Sequence, residues 1–163
     1  MMGSPWPEPV ERVAAFLREA GAEARLEQFD AGTPTARGAA EAVGCTLEQI
    51  VKSIVLVCDV APVMALVPGD RRGDVTKVAH LMGAERARIA NPDEVEAATG
   101  FTPGAVGPFA LAAVSRILVE RSLLSSPIVW VGAGSDRHMA ALTPVELLRL
   151  THGEAVDLVQ ESA

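Results

Sequence analysis

A lysine set inside an apolar strand is the residue of this sequence with the clearest capacity for chemistry. Lys52 sits within Ile50–Cys58 (IVKSIVLVC), among β-branched neighbours. The chain holds twelve arginines but two lysines, so arginine is its usual source of bare positive charge. An ammonium taken out of water is costly unless it is paired. Lysine also differs from arginine in offering a compact charge whose pKa moves with its surroundings. Two readings follow. Lys52 is either a strand-edge residue whose stem lies on apolar surface while its head reaches water, or a charge inside a pocket aimed at a carbonyl or a phosphate. Lys77, on a predicted helix in a basic stretch, reads as surface.

Two glycine-rich stretches, Thr102–Pro108 (TPGAVGP) and Gly132–Ser135 (GAGS), read as turns able to present main-chain N–H groups to an anion or a developing oxyanion. Neither matches a P-loop or a dinucleotide fingerprint, and most Gly/Pro stretches are only loops. His80 on its helix and His152 near a helix end read as structural or surface residues. His138, three residues past Ser135, is the histidine placed to reach a site. Cys45 and Cys58 lack CxxC spacing and a histidine cluster, which argues against a zinc site or a disulfide framework; reduced thiols are expected. GxSxG and HExxH do not occur. No nucleophile constellation is legible, and neither a cofactor nor a metal is expected.

Net charge is −7, whereas a protein that coats a duplex neutralises many phosphates and is usually basic. Locally the balance reverses. Between residues 71 and 88 stand Arg71, Arg72, Lys77, Arg86 and Arg88 against Asp74 and Glu85, either a solvated helix face or a phosphate-facing rim. Four Phe, two Trp and no Tyr leave little for base stacking. With 49% hydrophobic and 21% charged residues over 163 positions, the chain describes one folded domain with a proper core. No apolar stretch approaches the roughly 20 residues needed to span a bilayer, and no basic segment precedes an apolar run. A soluble cytoplasmic protein without a membrane partner is expected.

Caps and periodicity give the elements that must position these residues. After a Met1–Pro5 leader, helices are predicted from Pro7-Glu8-Pro9 to Gly21, from Thr33-Pro34 to Gly44, from Asp74 to Gly83, from Asn91-Pro92 to Gly100, and from Thr143-Pro144 through Leu150. Thr46–Gln49 fits a capping box that supports only a turn. Strands are predicted at Ala24–Phe29, Ile50–Cys58, Val63–Val67, Arg116–Val119, Ile128–Val131, His138–Leu142 and Ala155–Val159. Several are joined by hairpin-length turns, which parallel units cannot use. The expected fold is a single α/β domain over residues 1–163, with a curled, mixed and largely antiparallel sheet and helices outside.

Several blocks are also familiar in their order. Thr35–Gly44 (TARGAAEAVG) is followed by Gln49-Ile50-Val51-Lys52-Ser53, then by Val67-Pro68-Gly69-Asp70 with Asp74–Ala79. Next come Gly100–Phe109 (GFTPGAVGPF), Val131–Gly134, and Leu142–Leu148. From about Thr33 to Val159 this order resembles the YbaK-type aminoacyl-tRNA deacylases, relatives of the editing insertion of bacterial prolyl-tRNA synthetase. The resemblance implies a sheet close to a barrel and a small pocket beside the lysine. Carried over, the catalytic set is Lys52, Gly132, Gly134 and Ser135, with Ser53, Gly104 and His138 binding substrate. Ala110 departs from a commoner Gly, and Gly107 from a commoner Ser or other small residue. The implied activity is trans-editing: hydrolysis of mischarged tRNA, above all tRNA(Pro) carrying Cys or Ala. The implied partners are the tRNA acceptor end and prolyl-tRNA synthetase. An aminoacyl ester is already activated, so positioning and carbonyl stabilisation suffice. The attacking oxygen then comes from water or from the substrate itself, not from Cys45 or Cys58. Two other readings compete: a binding module for aminoacyl-adenosine-like ligands without turnover, and an interaction protein docked on a synthetase.

Overall fold

Four of the five α-helices begin where a side chain meets the free N–H groups of the first turn. In the computed structural model, which describes residues 6–30, 32 and 35–161, α1 (Glu8–Glu19) opens with Pro9 and two glutamates in its first turn, suited to the positive end of the helix dipole. Thr35 caps α2 (Ala36–Val43), Asp74 caps α3 (Val75–Met82) and Thr143 caps α5 (Pro144–Thr151). Asn91 and Glu94 form a reciprocal box at α4 (Pro92–Thr99). All five predicted helices are present. The predicted Thr33-Pro34 opening and the Met1–Pro5 leader lie outside the described residues, and the cap of α2 is Thr35.

Eight strands are described where seven were expected: β1 (Ala24–Gln28), β2 (Val51–Cys58), β3 (Ala61–Pro68), β4 (Ala87–Ile89), β5 (Arg116–Glu120), β6 (Val129–Ser135), β7 (His138–Leu142) and β8 (Glu154–Val156). The missed one, β4, is three residues long with two of them exposed, so it carries no apolar alternation. It is held by pairing with Leu56–Cys58 of β2. The strands form two sheets, β1-β7-β6 and β4-β2-β3-β5-β8. Four pairings are antiparallel, and β5 runs parallel to both β3 and β8. The expected near-barrel does not close. The sheets stay open and meet at an isolated parallel bridge between Ile50 and Trp130.

Why IVKSIVLVC reads as almost continuously apolar is now clear. The main core, with Val51, Val55, Leu66, Phe101, Phe109 and Val131, lies between the sheets. A second cluster with Leu56, Val67, Val78 and Leu118 covers the other face of the five-stranded sheet beneath α3. A sheet buried on both faces needs apolar residues on both.

The C-terminal segment is pinned by two charged residues. Lys77, expected at the surface, has a side chain only 26% exposed; it pairs with Asp157 at 2.9 Å and donates to the Val159 carbonyl at 2.6 Å. Glu120 is 2% exposed and accepts from Leu158 N at 3.0 Å and Ser122 N at 2.7 Å. Burial pushes its carboxyl up, but these donors outweigh that and hold it below the usual glutamate range. Glu120→Ala leaves buried N–H groups unmet and is expected to cost about 2–3 kcal/mol in a denaturant melt. Because the folded pKa is depressed, the wild-type contribution is complete above the unfolded value of about 4.3 and fades as pH falls below it. An unchanged melt for the variant would make the carboxylate dispensable.

Candidate active site at an open strand edge

β2 pairs with β3 along its whole length but meets β4 only from Leu56 to Cys58, so its first half has an open edge. The backbone alternation says which groups face that edge. The Ile50 carbonyl accepts from Gly69 on the β3 side, and the Val55 carbonyl accepts from Ala90 on the opposite side. Residues of an antiparallel ladder alternate between the two sides, so the main-chain groups of Val51 and Ser53 turn away from β3. Beyond the edge, β6 is bridged through Trp130 to Ile50, the residue just before β2, and no further bridge joins the two strands among the described residues. The gap is a cavity of 160 Å³.

Four segments wall it: Ile50 with Val51–Ser53 of β2, Thr35, Ala36 and Ala39 at the start of α2, Pro103–Val106, and Gly132 with Ser135–Asp136 and His138–Met139. Six of the seven residues expected at a site therefore come together here: Lys52, Ser53, Gly104, Gly132, Ser135 and His138. Gly134 stays apart. Its φ is +100°, and a Cβ built there would lie 2.7 Å from the Pro9 carbonyl oxygen, so it is a close-packing glycine beneath the start of α1. Sequence reasoning missed the α2 residues. Their signal was a Thr cap followed by Ala36 and Ala39 one helical turn apart, a small-residue face against which a ligand fits.

The stretch Gly132–Ser135 is not the expected turn. It is the end of β6, and a register shift between Gly132 and Ser135 makes it a bulge; the chain reverses at Asp136-Arg137. Such a bulge leaves a residue out of the ladder and re-aims its neighbours. Ser135 Oγ lies 2.6 Å from His138 Nδ1 and accepts from Arg137 N at 2.9 Å. The His138 ring is 4% exposed, and an edge of Trp6 packs on it with centroids 5.4 Å apart. Burial holds its pKa below the usual histidine value, partly opposed by Asp136, so the ring is neutral near pH 7 and carries a single N–H.

Lys52 and Ser53 are neighbours on β2, and alternation sends their side chains to opposite faces. Lys52 pairs across the strand with Val67 of the second cluster, Ser53 with Leu66 of the main core. A cavity that touches both runs along the strand edge rather than over a face. The Lys52 ammonium donates to the Arg71 carbonyl of the 69–73 loop. Burial pushes its pKa down, Arg72 adds to that, and Asp70 opposes it.

Two wall atoms stand out energetically. Ser53 Oγ and His138 Nε2 are buried and have no hydrogen-bond partner; the third such atom among the described residues, Arg12 Nε, lies away from the wall and 3.5 Å from the Glu8 carboxylate. An unmet buried polar group costs about 1–3 kcal/mol, and native structures rarely keep one without a reason.

The loop above the cavity rests main chain on main chain. A Cβ at Gly107 would lie 1.9 Å from the Gly132 carbonyl oxygen, and one at Gly132 would lie 2.5 Å from that of Val106. Two residues on from this loop's Pro108, Ala110 holds a φ of +57°, a conformation that burdens any residue with a Cβ. Ala110→Gly is expected to raise stability by about 0.5–1 kcal/mol net of the unfolded-state entropy of glycine, read as a higher Tm. A lower Tm would mean that the methyl's packing outweighs the backbone cost.

The sequence model of the aminoacyl-tRNA editing domain matches residues 30–150, a span that contains every wall residue. This chain belongs to the aminoacyl-tRNA editing family. An editing domain of this kind is a deacylase, hydrolysing the ester that joins an amino acid to its tRNA. Among proteins similar to this editing domain is the proline–tRNA ligase of Nitratidesulfovibrio vulgaris strain DP4, 37% identical over 98 residues, which cover 60% of this chain and 17% of the ligase. The proline–tRNA ligase of Xanthomonas oryzae pv. oryzae is 31% identical over 144 residues, 86% of this chain and 26% of the ligase. The editing domain thus spans about a quarter or less of these relatives. A solved structure described as "Crystal structure of a putative trans-editing enzyme for prolyl tRNA synthetase" superposes with a TM-score of 0.90 at 35% identity, covering 96% of this chain and 99% of that one.

Proposed function

We propose that this chain removes a small amino acid, Cys or Ala, from mischarged tRNA(Pro), acting in trans beside prolyl-tRNA synthetase, with the acyl group seated at the open edge of β2. One observation carries the reading: Ser53 Oγ and His138 Nε2, both buried and both unpartnered, belong to two residues that line one small cavity. At 160 Å³ it is below the roughly 300–1,000 Å³ of drug-sized sites, too small for a nucleoside and suited to a short aminoacyl group. The size limit is the second sieve of editing, in which a pocket admits small residues and shuts out the cognate one. The choice of tRNA(Pro) rests on the relatives, which are proline–tRNA ligases.

In this reading Ser53 offers its main-chain N–H and its hydroxyl to the ester carbonyl from one wall. The bulge between Gly132 and Ser135 offers released main-chain N–H groups from the other. Each such donor is worth about 2.7–4 kcal/mol where an oxyanion develops. His138 Nε2 addresses the substrate's amino or ribose end, with Ser135 holding the other ring nitrogen. Gly104, with no side chain, leaves room in the cavity wall for the acyl group. The Lys52 ammonium, tied at Arg71 on the far side of the strand edge, meets the terminal phosphate rather than the carbonyl. The attacking oxygen is water or a substrate group; Ser135 Oγ, 2.6 Å from His138 Nδ1 and accepting from Arg137 N, is assigned to orienting the ring rather than to attack.

The test is a panel of tRNA(Pro) charged with Ala, Cys, Ser or Pro, incubated with the protein while ester loss is followed. Faster loss of Ala or Cys than of Pro is expected. Loss at the spontaneous rate for all four would end the proposal, and protection of one species without hydrolysis would instead mark a binding module.

A further inference from the structure

Seven of the fourteen Lys and Arg side chains stand in ion pairs among the described residues. Of the seven that do not, Lys52 lines the cavity, and Arg37, Arg72 and Arg137 lie on the segments beside it. Arg37 follows the wall residues Thr35 and Ala36 on α2, and Arg137 lies between the wall residues Asp136 and His138. Arg72 is close enough to Lys52 to lower its pKa. Its loop starts at Gly69, where a Cβ would come 3.1 Å from that of Ala36. All three guanidinium side chains belong to exposed residues. Asp70 and Asp136 share this rim, which leaves an excess of positive charge there on a chain whose net charge is −7. Of the basic stretch noted in the sequence, Arg72 belongs to this rim, whereas Arg88 binds Glu94 through two hydrogen bonds of 2.7 Å and Lys77 binds Asp157.

We infer that Arg37, Arg72 and Arg137 form a short phosphate track that guides the single-stranded 3′ end of a tRNA into the cavity. The guanidinium fork matches phosphate oxygens, and an unpaired arginine has no carboxylate to surrender first. The acidic remainder of the surface repels the body of the nucleic acid, so contact is confined to the last few nucleotides. This inference rests on the proposed deacylase reading for the identity of the ligand, but its test needs no hydrolysis.

The probe is a fluorescein-labelled RNA minihelix with an uncharged single-stranded CCA end, titrated with the full protein by anisotropy over a range of salt concentrations. Neutralising about three or four single-strand phosphates predicts a log–log salt slope of about −2 to −3. Replacing Arg37, Arg72 and Arg137 together by Gln is expected to weaken binding about tenfold or more at low salt and to flatten the slope to about −1 or less. The matching triple Lys variant should keep most of both. A control with Arg18, Arg88 and Arg116 changed to Gln removes as much charge from ion-paired sites and should bind like wild type. The track is overturned if the wild type shows no salt-dependent binding, if the Gln variant binds as well as wild type, or if the control loses as much. Failure of the deacylation panel with these binding results intact would sink the enzyme reading and leave the track.

Discussion

Gly107→Ala is expected to abolish most deacylation, lowering kcat/KM by about 10²-fold, and to destabilise the protein by about 1–3 kcal/mol. The added methyl would sit 1.9 Å from the Gly132 carbonyl oxygen, and both sides of that contact are main chain. No rotamer relieves it. The 103–107 loop must lift from β6 by an ångström or more, and displacement on that scale is enough to spoil a positioned ester. The same methyl at Gly104 is the contrast: nothing lies within 4 Å of a Cβ there, although Gly104 is on the cavity wall. Gly104→Ala should therefore melt like wild type while shifting the panel further toward the smallest amino acid. Thermal melts and initial rates on Ala- and Cys-charged tRNA(Pro) read both. A Gly107→Ala protein with wild-type rates would show that the glycine contact does not set the cavity.

How legible this was depends on which interactions are local. Caps are local, so Asp74, Asn91 and Thr143 announce their helices, and all three are observed capping them. β4 was invisible because two of its three residues are exposed and only its pairing with Leu56–Cys58 makes it a strand. Gly132–Ser135 read as a turn because two glycines suggest one. The bulge arises from a register mismatch with β7, which no window on one strand contains. Lys77 read as surface because its partner Asp157 lies eighty residues away. Of the site, the residues with unusual chemistry for their setting, Lys52 and His138, could be singled out. The α2 wall could not, because alanine is unremarkable until another element faces it. What sequence had no means to see is that Lys52 and Ser53 point to opposite faces and share a cavity only because the sheet is open at that edge.

That geometry makes the role of Lys52 decidable. Lys52→Met keeps an apolar stem and removes the charge. It is expected to lower kcat/KM on mischarged tRNA by about 10- to 100-fold, the equivalent of one charged hydrogen bond of about 1.5–3 kcal/mol, mainly through KM. Stability should change little, because losing the bond to the Arg71 carbonyl is offset by relief of a half-buried charge. Arginine is a poor substitute, since its planar fork does not occupy the space of a compact ammonium. The deciding comparison uses an alanyl ester of adenosine, which carries the acyl group and the ribose but no phosphate. If the ammonium meets the phosphate, wild type and Lys52→Met hydrolyse that ester equally and differ only on tRNA. A penalty of the same size on both substrates would put the ammonium at the carbonyl instead, which requires it to leave Arg71 and swing around the strand edge. No penalty on either would reduce Lys52 to a tie between β2 and the 69–73 loop. The small-ester experiment separates these because strand alternation has already split the site: donors for the carbonyl on the Ser53 side, charge for the nucleic acid on the Lys52 side.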